Sequence, residues 1–257
     1  MKFMIYNDSS YRVLHGILAV AFGLLSGCAT LQSSEQDRDP LEGINRAVYG
    51  FNESVDKALV KPLATGYRDA IPEFIRTGVA NFFGNLAYPI VIVNDMLQGK
   101  GTQGLDDTSR FITNSTFGLL GFLDVATPAG MPAHNEDFGQ TLGVWGFGEG
   151  VYIVLPLLGP SNVRDAVGLA ADYQANILNH HSDLSQRNVA LGVRAVDARS
   201  RVLSAGRVFD EAAAFDPYGF AREAYRQRRA NLIKDNGGAP ADELFENEPP
   251  NPVRREE

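Results

Sequence analysis

Apolar residues recur at three- and four-residue steps along most of this chain, which is the spacing of one face of an α-helix. The pattern is clearest just after Asp39 and Pro40, an N-cap acid followed by a proline suited to the first helical position. One face of this predicted amphipathic helix carries Leu41, Ile44, Val48, Phe51, Val55 and Ala58. The opposite, polar face carries Glu42, Arg46, Asn52, Glu53, Asp56 and Lys57.

Prolines, glycines and capping residues predict further helices. Pro62 and Pro72 each predict the end of one helical run and the start of another. Residues 89–97 (PIVIVNDML) are apolar nearly all round, and their continuation to a glycine stop favours helix over strand. Further helix starts are predicted at Asp106 or Asp107, at Ser161, at Asp183 (to about residue 206) and at Asp216–Pro217 (to about residue 235).

The segment from residue 117 to residue 150 differs from the rest of the chain. It begins with a glycine-spaced apolar run at residues 117–123 (FGLLGFL), and four glycines follow between Gln140 and Gly150. A packed loop with tight turns and a flexible or membrane-dipping hairpin both fit this composition. The apolar residues 151–158 are then predicted to form a short strand or an extended segment. The predicted fold class is therefore mostly α, with an irregular, glycine-rich centre.

The chain's one cysteine ends the run Leu25-Ser26-Gly27-Cys28, which has the form of a bacterial lipobox. Residues 13–25 are apolar and follow a basic lead, a pattern typical of a secretory signal and too short to span a bilayer. We therefore predict that residues 1–27 are a signal peptide and that Cys28 carries acyl chains. An ordinary signal peptide cut near Ala29 is the alternative.

Composition sets the remaining boundaries. Residues 28–38 are predicted to be a flexible tether, residues 39–235 one helical domain, and residues 236–257 a disordered acidic tail. The net charge is −8, an acidic balance that argues against nucleic acid as a partner. No apolar run after Cys28 reaches 18 residues, so no helix is predicted to span the membrane.

Catalytic and metal-binding patterns are weak. His134, Glu136 and Asp137 lie close together but without the helical spacing of a zinc pair, and no Gly-x-Ser-x-Gly elbow occurs. The sequence therefore predicts neither a metal site nor a cofactor, and no enzyme. Arg222, Arg226 and Arg229 share one face of the last helix, either as a solvated face or as a contact for a partner or lipid phosphates.

Many ordered motifs of the chain resemble the MlaA (VacJ) family of outer-membrane lipoproteins over about residues 39–236. The opening signature is Asp39-Pro40-Leu41-Glu42-Gly43-Ile44-Asn45-Arg46, followed by Tyr49 and Phe51-Asn52. The similarity continues in Asn81–Leu86, Gly118–Ala126 and Phe138–Gly143, and in Asp216-Pro217-Tyr218 with Arg222-Glu223-Ala224-Tyr225. From this signature Asp39, Pro40, Asn45, Arg46 and Asn52 are taken as candidate family residues.

The resemblance implies a ring of amphipathic helices that lies in the plane of the outer membrane and encloses an amphipathic channel. It implies removal of mislocalised phospholipids from the outer leaflet and their delivery to a soluble periplasmic carrier, with a trimeric porin as a further partner. Ala29, rather than Asp, follows Cys28, which by the sorting habit of such lipoproteins also indicates the outer membrane, with the body facing the periplasm.

Within that implied channel, glycine density beside aromatic residues favours the central segment as channel wall or movable hairpin. The candidate residues are Phe117, Gly118, Leu119, Leu120, Gly121, Phe122, Gly139, Gly143, Trp145, Gly146 and Phe147. Two other classes remain open at this point: a structural lipoprotein that scaffolds porins or the envelope, and an envelope hydrolase.

Overall fold

The computed structural model describes residues 39–204 and 215–234, and all of these but Asp39 belong to one compact unit that begins at Pro40. The predictions for the signal peptide (1–27), for Cys28 and the tether (28–38), and for the acidic tail (236–257) concern residues outside the described part. Among the described residues, no helix is both long enough and apolar enough to cross a membrane.

Helices dominate the described residues, which confirms the predicted mostly α fold class. The α-helices are α1 Glu42–Val55, α2 Lys61–Ala70, α3 Glu73–Leu97, α4 Gly101–Thr116, α5 Phe138–Val144, α6 Val163–Ala175, α7 Leu184–Arg201 and α8 Pro217–Ile233. A π-helical turn covers Asp56–Val60, and a 3-10 turn covers Ile177–His180. The strands β1 Tyr152–Leu155 and β2 Gly159–Asn162 form an antiparallel hairpin.

The predicted boundaries of the first helices need two corrections. Leu41, and not Asp39, is the N-cap of α1, because Pro40 and Leu41 form a turn before the first helical bond, from Asn45 N to Leu41 O at 2.9 Å. Pro62 does not break the chain direction: the preceding π-helical turn leads directly into α2. Hydrogen bonds in a π-helical turn join residues five apart, so the turn has room for the ring of Pro62. In a regular α-helix this ring would clash with the carbonyl four residues earlier. Pro72 does separate α2 from α3, as predicted.

The helical prediction for residues 89–97 is confirmed, since they form the C-terminal part of α3. Gly99 follows it with φ +78°, a left-handed conformation that glycine adopts easily. This tight reversal lets α4 begin at Gly101, so the predicted start at Asp106 or Asp107 is wrong. Gly104, in the first turn of α4, lies so close to α3 that an added Cβ would stand 2.7 Å from Met96 Cε.

The strand predicted within residues 151–158 is confirmed as β1. Gly159 and Pro160 do not end the extended region but begin β2, and Ser161 pairs with Ile153 across the hairpin. The cap of α6 is therefore Asn162 and not Ser161: its Oδ1 accepts a 2.7 Å hydrogen bond from the Asp165 backbone N–H.

Two asparagines of α1 hold this hairpin. Asn45 is buried, donates to Tyr152 O at 3.0 Å and accepts from Val154 N at 2.9 Å. Asn52, one heptad later, donates to Leu155 O at 3.0 Å and accepts from Leu157 N at 2.7 Å. Each amide thus donates to one backbone C=O and accepts from one backbone N–H of the hairpin, as a neighbouring strand would. Asn52 therefore does not belong to a solvent-facing surface. The face of α1 that packs inward therefore combines these amides with Val48 and Tyr49, and only Val48 of these belongs to the predicted apolar face.

Replacing Asn45 with alanine is expected to lower the free energy of unfolding by about 2 kcal/mol, because a backbone N–H and a backbone C=O at a buried site lose their partner. Asn52→Ala is the matched comparison and should have the smaller effect, since its site is only partly buried. Chemical unfolding in detergent micelles measures both values. Equal losses in the two variants would contradict the assigned difference in burial.

Candidate functional site

Apolar side chains cover much of the described surface. Of the apolar stripe predicted on α1, Leu41, Ile44 and Phe51 are exposed, whereas Val48 packs against buried residues. Exposed apolar side chains continue at Leu59 in the π-helical turn and at Leu63 in α2. Further exposed residues include Phe74, Val93, Leu105, Ile112, Val167, Ile177, Leu184 and Val189. Exposed apolar area on this scale marks a surface that meets a partner or a membrane.

Polar side chains, in contrast, fill much of the interior. Among the described residues the buried polar set includes Asn45, Asn85, Asn94, Asp95, Asp107, Arg110, Asn114, Glu136, Gln140, Thr141, Asn162, Asp165 and Asp197. The buried apolar cluster is small and consists of Tyr152, Val154 and Tyr218, with Val48, Tyr49 and Tyr225 packed against it. This distribution is the reverse of that in a protein surrounded by water.

A buried acidic pair joins α3 to α4. Asp95 and Asp107 are both fully buried, and Asp95 Oδ2 and Asp107 Oδ1 have no hydrogen-bond donor among the described residues, so a proton held between the two carboxyl groups would satisfy both. Burial and the neighbouring Asp107 raise the pKa of Asp95 to about 7. Gln103 Nε2 donates to Asp95 Oδ1 at 2.7 Å, and His134 Nδ1 lies 3.0 Å from Asp107 Oδ2.

A second polar group connects this pair to α5. Glu136 accepts from Lys100 Nζ at 2.9 Å, from Gln98 Nε2 at 2.9 Å and from Gln103 Nε2 at 3.1 Å. On α5, Thr141 Oγ1 accepts from Gln98 Nε2 at 3.1 Å and donates to Asn94 Oδ1 at 2.7 Å. The His134–Asp137 group is therefore engaged in internal hydrogen bonds and ion pairs, and the described residues contain no cluster of three or more potential metal ligands.

Arg229 on α8 joins α5 and α6. Its guanidinium contacts both carboxylate oxygens of Asp137, at 2.5 Å and 2.9 Å, and its Nη2 donates to Asp165 Oδ1 at 3.0 Å. Burial alone would raise the pKa of Asp137, but the hydrogen bonds and charge of Arg229 outweigh it and hold that pKa below its ordinary value. Arg226 on the same face contacts Glu149. Neither arginine therefore forms the solvated or phosphate-contacting face that their spacing allowed.

The first set of candidate residues, Phe117–Phe122, forms a tight turn after α4. Leu119, Leu120 and Gly121 have φ of 54°, 59° and 89°, three left-handed residues in a row. Phe117, Leu119 and Leu120 are between 68% and 77% exposed, whereas Gly118 and Gly121 are buried. Left-handed leucines cost about 1–2 kcal/mol each, so the surrounding contacts must hold this turn.

Asparagines hold the turn against α3 and α4. Asn85 Nδ2 donates to Ser115 Oγ at 2.8 Å, and its side chain lies so close to Gly121 that an added Cβ there would stand 2.3 Å from Asn85 Cβ. Asn114 Oδ1 accepts from the backbone N–H groups of Val125 and Ala126 at 2.9 Å and 3.0 Å. The ring of Phe122 lies on Gly78, where a Cβ would be 2.2 Å from its Cζ.

The second set of candidate residues, Gly139–Phe147, lies in and directly after α5. The sequence indicated only a loop or hairpin here, but α5 is a helix. Gly139 is buried between Asp165 and Arg229, and Gly143 lies against Ile233. The side chains that follow are exposed: Trp145 donates from Nε1 to Leu97 O at 3.0 Å, and Phe147 has no more than half of its surface covered. Gly146 has φ +92°, where a larger residue would be strained.

The two sets do not form a single hairpin. The first contacts Gly78 and Asn85 of α3, and the second contacts Leu97 at the C-terminal end of the same helix. Asn85 and Leu97 are 12 positions apart, or about 18 Å along a helix. The candidate residues therefore form two separate groups along α3. In each group, exposed apolar side chains lie next to buried polar residues.

The family-signature residues have clear places in the fold. Asn45 and Asn52 hold the hairpin, and Arg46 bonds Asp216 at 2.9 Å and 3.1 Å while its Cζ lies 4.4 Å from the centre of the Tyr218 ring. Sequence reasoning missed the interior asparagines of α3 and α4. Their signal was present in the apolar runs: a polar residue at Asn85, Asn94 and Asn114, each inside an otherwise helical stretch.

Comparisons with known proteins agree with this picture. A family model described as MlaA lipoprotein matches residues 37–232. The intermembrane phospholipid transport system lipoprotein MlaA of Escherichia coli (strain K12) is 38% identical over 240 residues, covering 91% of this chain and 92% of the relative. The protein of the same name from Haemophilus influenzae is 34% identical over 220 residues, covering 82% and 86%.

A solved structure described as the structural basis for maintenance of bacterial outer membrane lipid asymmetry also matches. Its TM-score is 0.67 at 33% identity, covering 76% of this chain and 98% of that chain. The similarity therefore extends from sequence to fold over most of the chain.

Proposed function

Since this chain belongs to the MlaA lipoprotein family, we propose that it is an outer-membrane component of an intermembrane phospholipid transport system that maintains lipid asymmetry. The relatives are named as transport-system lipoproteins and not after any enzymatic activity, which agrees with the prediction that this chain is not an enzyme.

The observation that carries the proposal is the reversed distribution of polar and apolar side chains. Leu41, Ile44, Phe51, Leu59 and Leu63 present an apolar stripe outward, while the interior holds hydrogen-bonded amides and carboxylates. Helices without a membrane-spanning segment can lie in the plane of a bilayer, with their apolar faces among acyl chains. Polar groups at that depth need partners inside the protein, and the interior amides Asn45, Asn94 and Asn114 have them.

The finer mechanism is a lipid conduit. The protein takes mislocalised phospholipids from the outer leaflet, offers their headgroups a polar path and their tails an apolar one, and passes them to a soluble periplasmic carrier. Lipidation at Cys28 keeps the body at the membrane, facing the periplasm, and a trimeric porin is its membrane partner. Phe117–Phe122 and Gly139–Phe147 are the candidate channel wall or movable segments, supported by their exposed aromatic and leucine side chains over a polar base.

A deletion strain tests the conduit against the scaffold alternative. Without the protein, phospholipid should accumulate in the outer leaflet and cells should become sensitive to detergent plus chelator. The full chain should reverse both effects, and phospholipid should co-purify with it in native mass spectrometry. A scaffold that stabilises porins would leave the outer leaflet free of phospholipid while porin levels fall, and that result would overturn the proposal.

A further inference from the structure

Residues 146–150 connect α5 to β1 and are held from three sides. From α5, Leu142 O accepts from the Phe147 backbone N–H at 3.0 Å. From α8, Arg226 Nη2 donates to Glu149 Oε1 at 2.8 Å across 77 positions of sequence. From α6, the Arg164 backbone N–H donates to Glu149 O at 3.3 Å. Every side chain of this connection is exposed, and it starts at Gly146 and ends at Gly150, which have φ of +92° and +69°.

The two contacts of α8 differ in kind. Arg229 is 11% exposed and is bound by two carboxylates, Asp137 and Asp165, so it joins α8 permanently to α5 and α6. Tyr225 adds a hydrogen bond from its hydroxyl to Asp165. Arg226, one turn away from these groups, meets Glu149, whose side chain is 46% exposed. Water competes for this second contact, so it opens more easily than the first.

We propose that α8 acts as a clasp in which Arg229 fixes the helix and Arg226 positions the connection 146–150 through Glu149. The connection carries Phe147, so the clasp contributes to the position of this exposed aromatic side chain, whereas Trp145 is held by its own hydrogen bond to Leu97 O. Arg226 and Glu149 are thus positioning residues for lipid passage. The inference rests on the proposed function, because it assigns a role in lipid passage to a connection whose contacts alone do not name a ligand.

Charge exchange between the two positions tests the clasp. Arg226→Glu and Glu149→Arg each place like charges together, and the double variant restores an opposite pair in reversed order. Arg228→Glu is the matched control, since Arg228 is an exposed arginine on the same helix and makes no contact with Glu149. Amide hydrogen exchange of peptides covering residues 145–150, on the full chain in lipid nanodiscs, reports the position of the connection directly.

Each single variant should speed exchange of these peptides by about two- to fivefold, the range expected for an exposed ion pair, while the melting temperature changes by less than about 2 °C. In the deletion strain, each should restore lipid asymmetry less well than the wild type. The double variant should recover both readouts, and the control should resemble the wild type. A pair that only stabilised the connection would change local exchange in the same way but leave lipid asymmetry fully restored.

Unchanged exchange in both single variants, or the same change in Arg228→Glu, would overturn the clasp. Faster exchange with full restoration of asymmetry would overturn its role in lipid passage. A wild-type chain that fails to reverse the deletion phenotype would instead count against the proposed function, so the two failures are distinguishable.

Discussion

Replacing Gly168 with alanine should lower the free energy of unfolding by about 3 kcal/mol, the upper part of the range for overpacking. Gly168 lies in α6 where the start of α5 crosses it, and an added Cβ would stand 2.3 Å from Gly139 N and 2.6 Å from Gly139 Cα. Both are backbone atoms, so no side-chain rotation can relieve the contact. The melting temperature should fall by about 6–12 °C.

The surroundings explain why α5 cannot simply move away. On its other side Gly139 is itself in close contact, since a Cβ there would stand 2.7 Å from Asp165 Oδ1 and 2.8 Å from Arg229 Nη2. A displaced α5 would pull Asp137 away from Arg229 and leave buried charges poorly paired, which is strongly destabilising.

Gly192→Ala is the matched control, because Gly192 lies inside α7 and a Cβ there has nothing within 4 Å. Alanine should stabilise that helix by about 0.5–1 kcal/mol. Thermal unfolding of both variants in the same detergent provides the comparison. Similar stability changes at the two positions would show that α5 and α6 do not approach as closely as described.

The sequence predicted those features of the fold that depend on neighbouring residues. Asp183 caps α7 by accepting from the backbone N–H groups of Ser185 and Gln186, as local capping rules predict. α8 begins at Pro217 after Asp216, as the preference of proline for the first helical position predicts. The apolar stripe of α1 was also correct as a set of residues on one face. Periodicity states which residues share a face, but not which medium that face meets.

The inner face of α1 was missed for that reason. Asn52 was assigned to the polar face and Asn45 to neither face, yet the partners of both lie more than 100 positions away in β1. The same holds for Arg229, whose carboxylate partners are 92 and 64 positions distant. A single sequence carries no local signal of such pairings, so the candidate site could be predicted as a set of segments but not as a geometry.

The free energy of unfolding should decrease as the pH rises from about 4 to about 7, because of the buried pair Asp95–Asp107. The folded protein holds a proton on Asp95 up to a pKa of about 7, whereas the unfolded chain releases it near the ordinary value of 3.8. A raised folded-state pKa contributes stability that is complete below the unfolded pKa and is lost as the pH rises through the folded one. The loss is on the order of 2–4 kcal/mol.

Asp95→Asn should remove this dependence. The asparagine Oδ1 still accepts from Gln103, and its amide N–H takes the place of the shared proton in the bond to Asp107. The variant should therefore be more stable than the wild type at pH 8 and close to it at pH 5, as measured by chemical unfolding at both values.

Two controls separate the carboxyl pair from other titrating groups at the junction of α3 and α4. Asp106→Asn removes a neighbouring but exposed carboxyl group and should leave the pH dependence unchanged. His134→Gln removes the imidazole 3.0 Å from Asp107, while Glu136 stays paired with Lys100 in every variant. If Asp95→Asn kept the wild-type loss of stability, the proton would not lie between these two carboxyl groups.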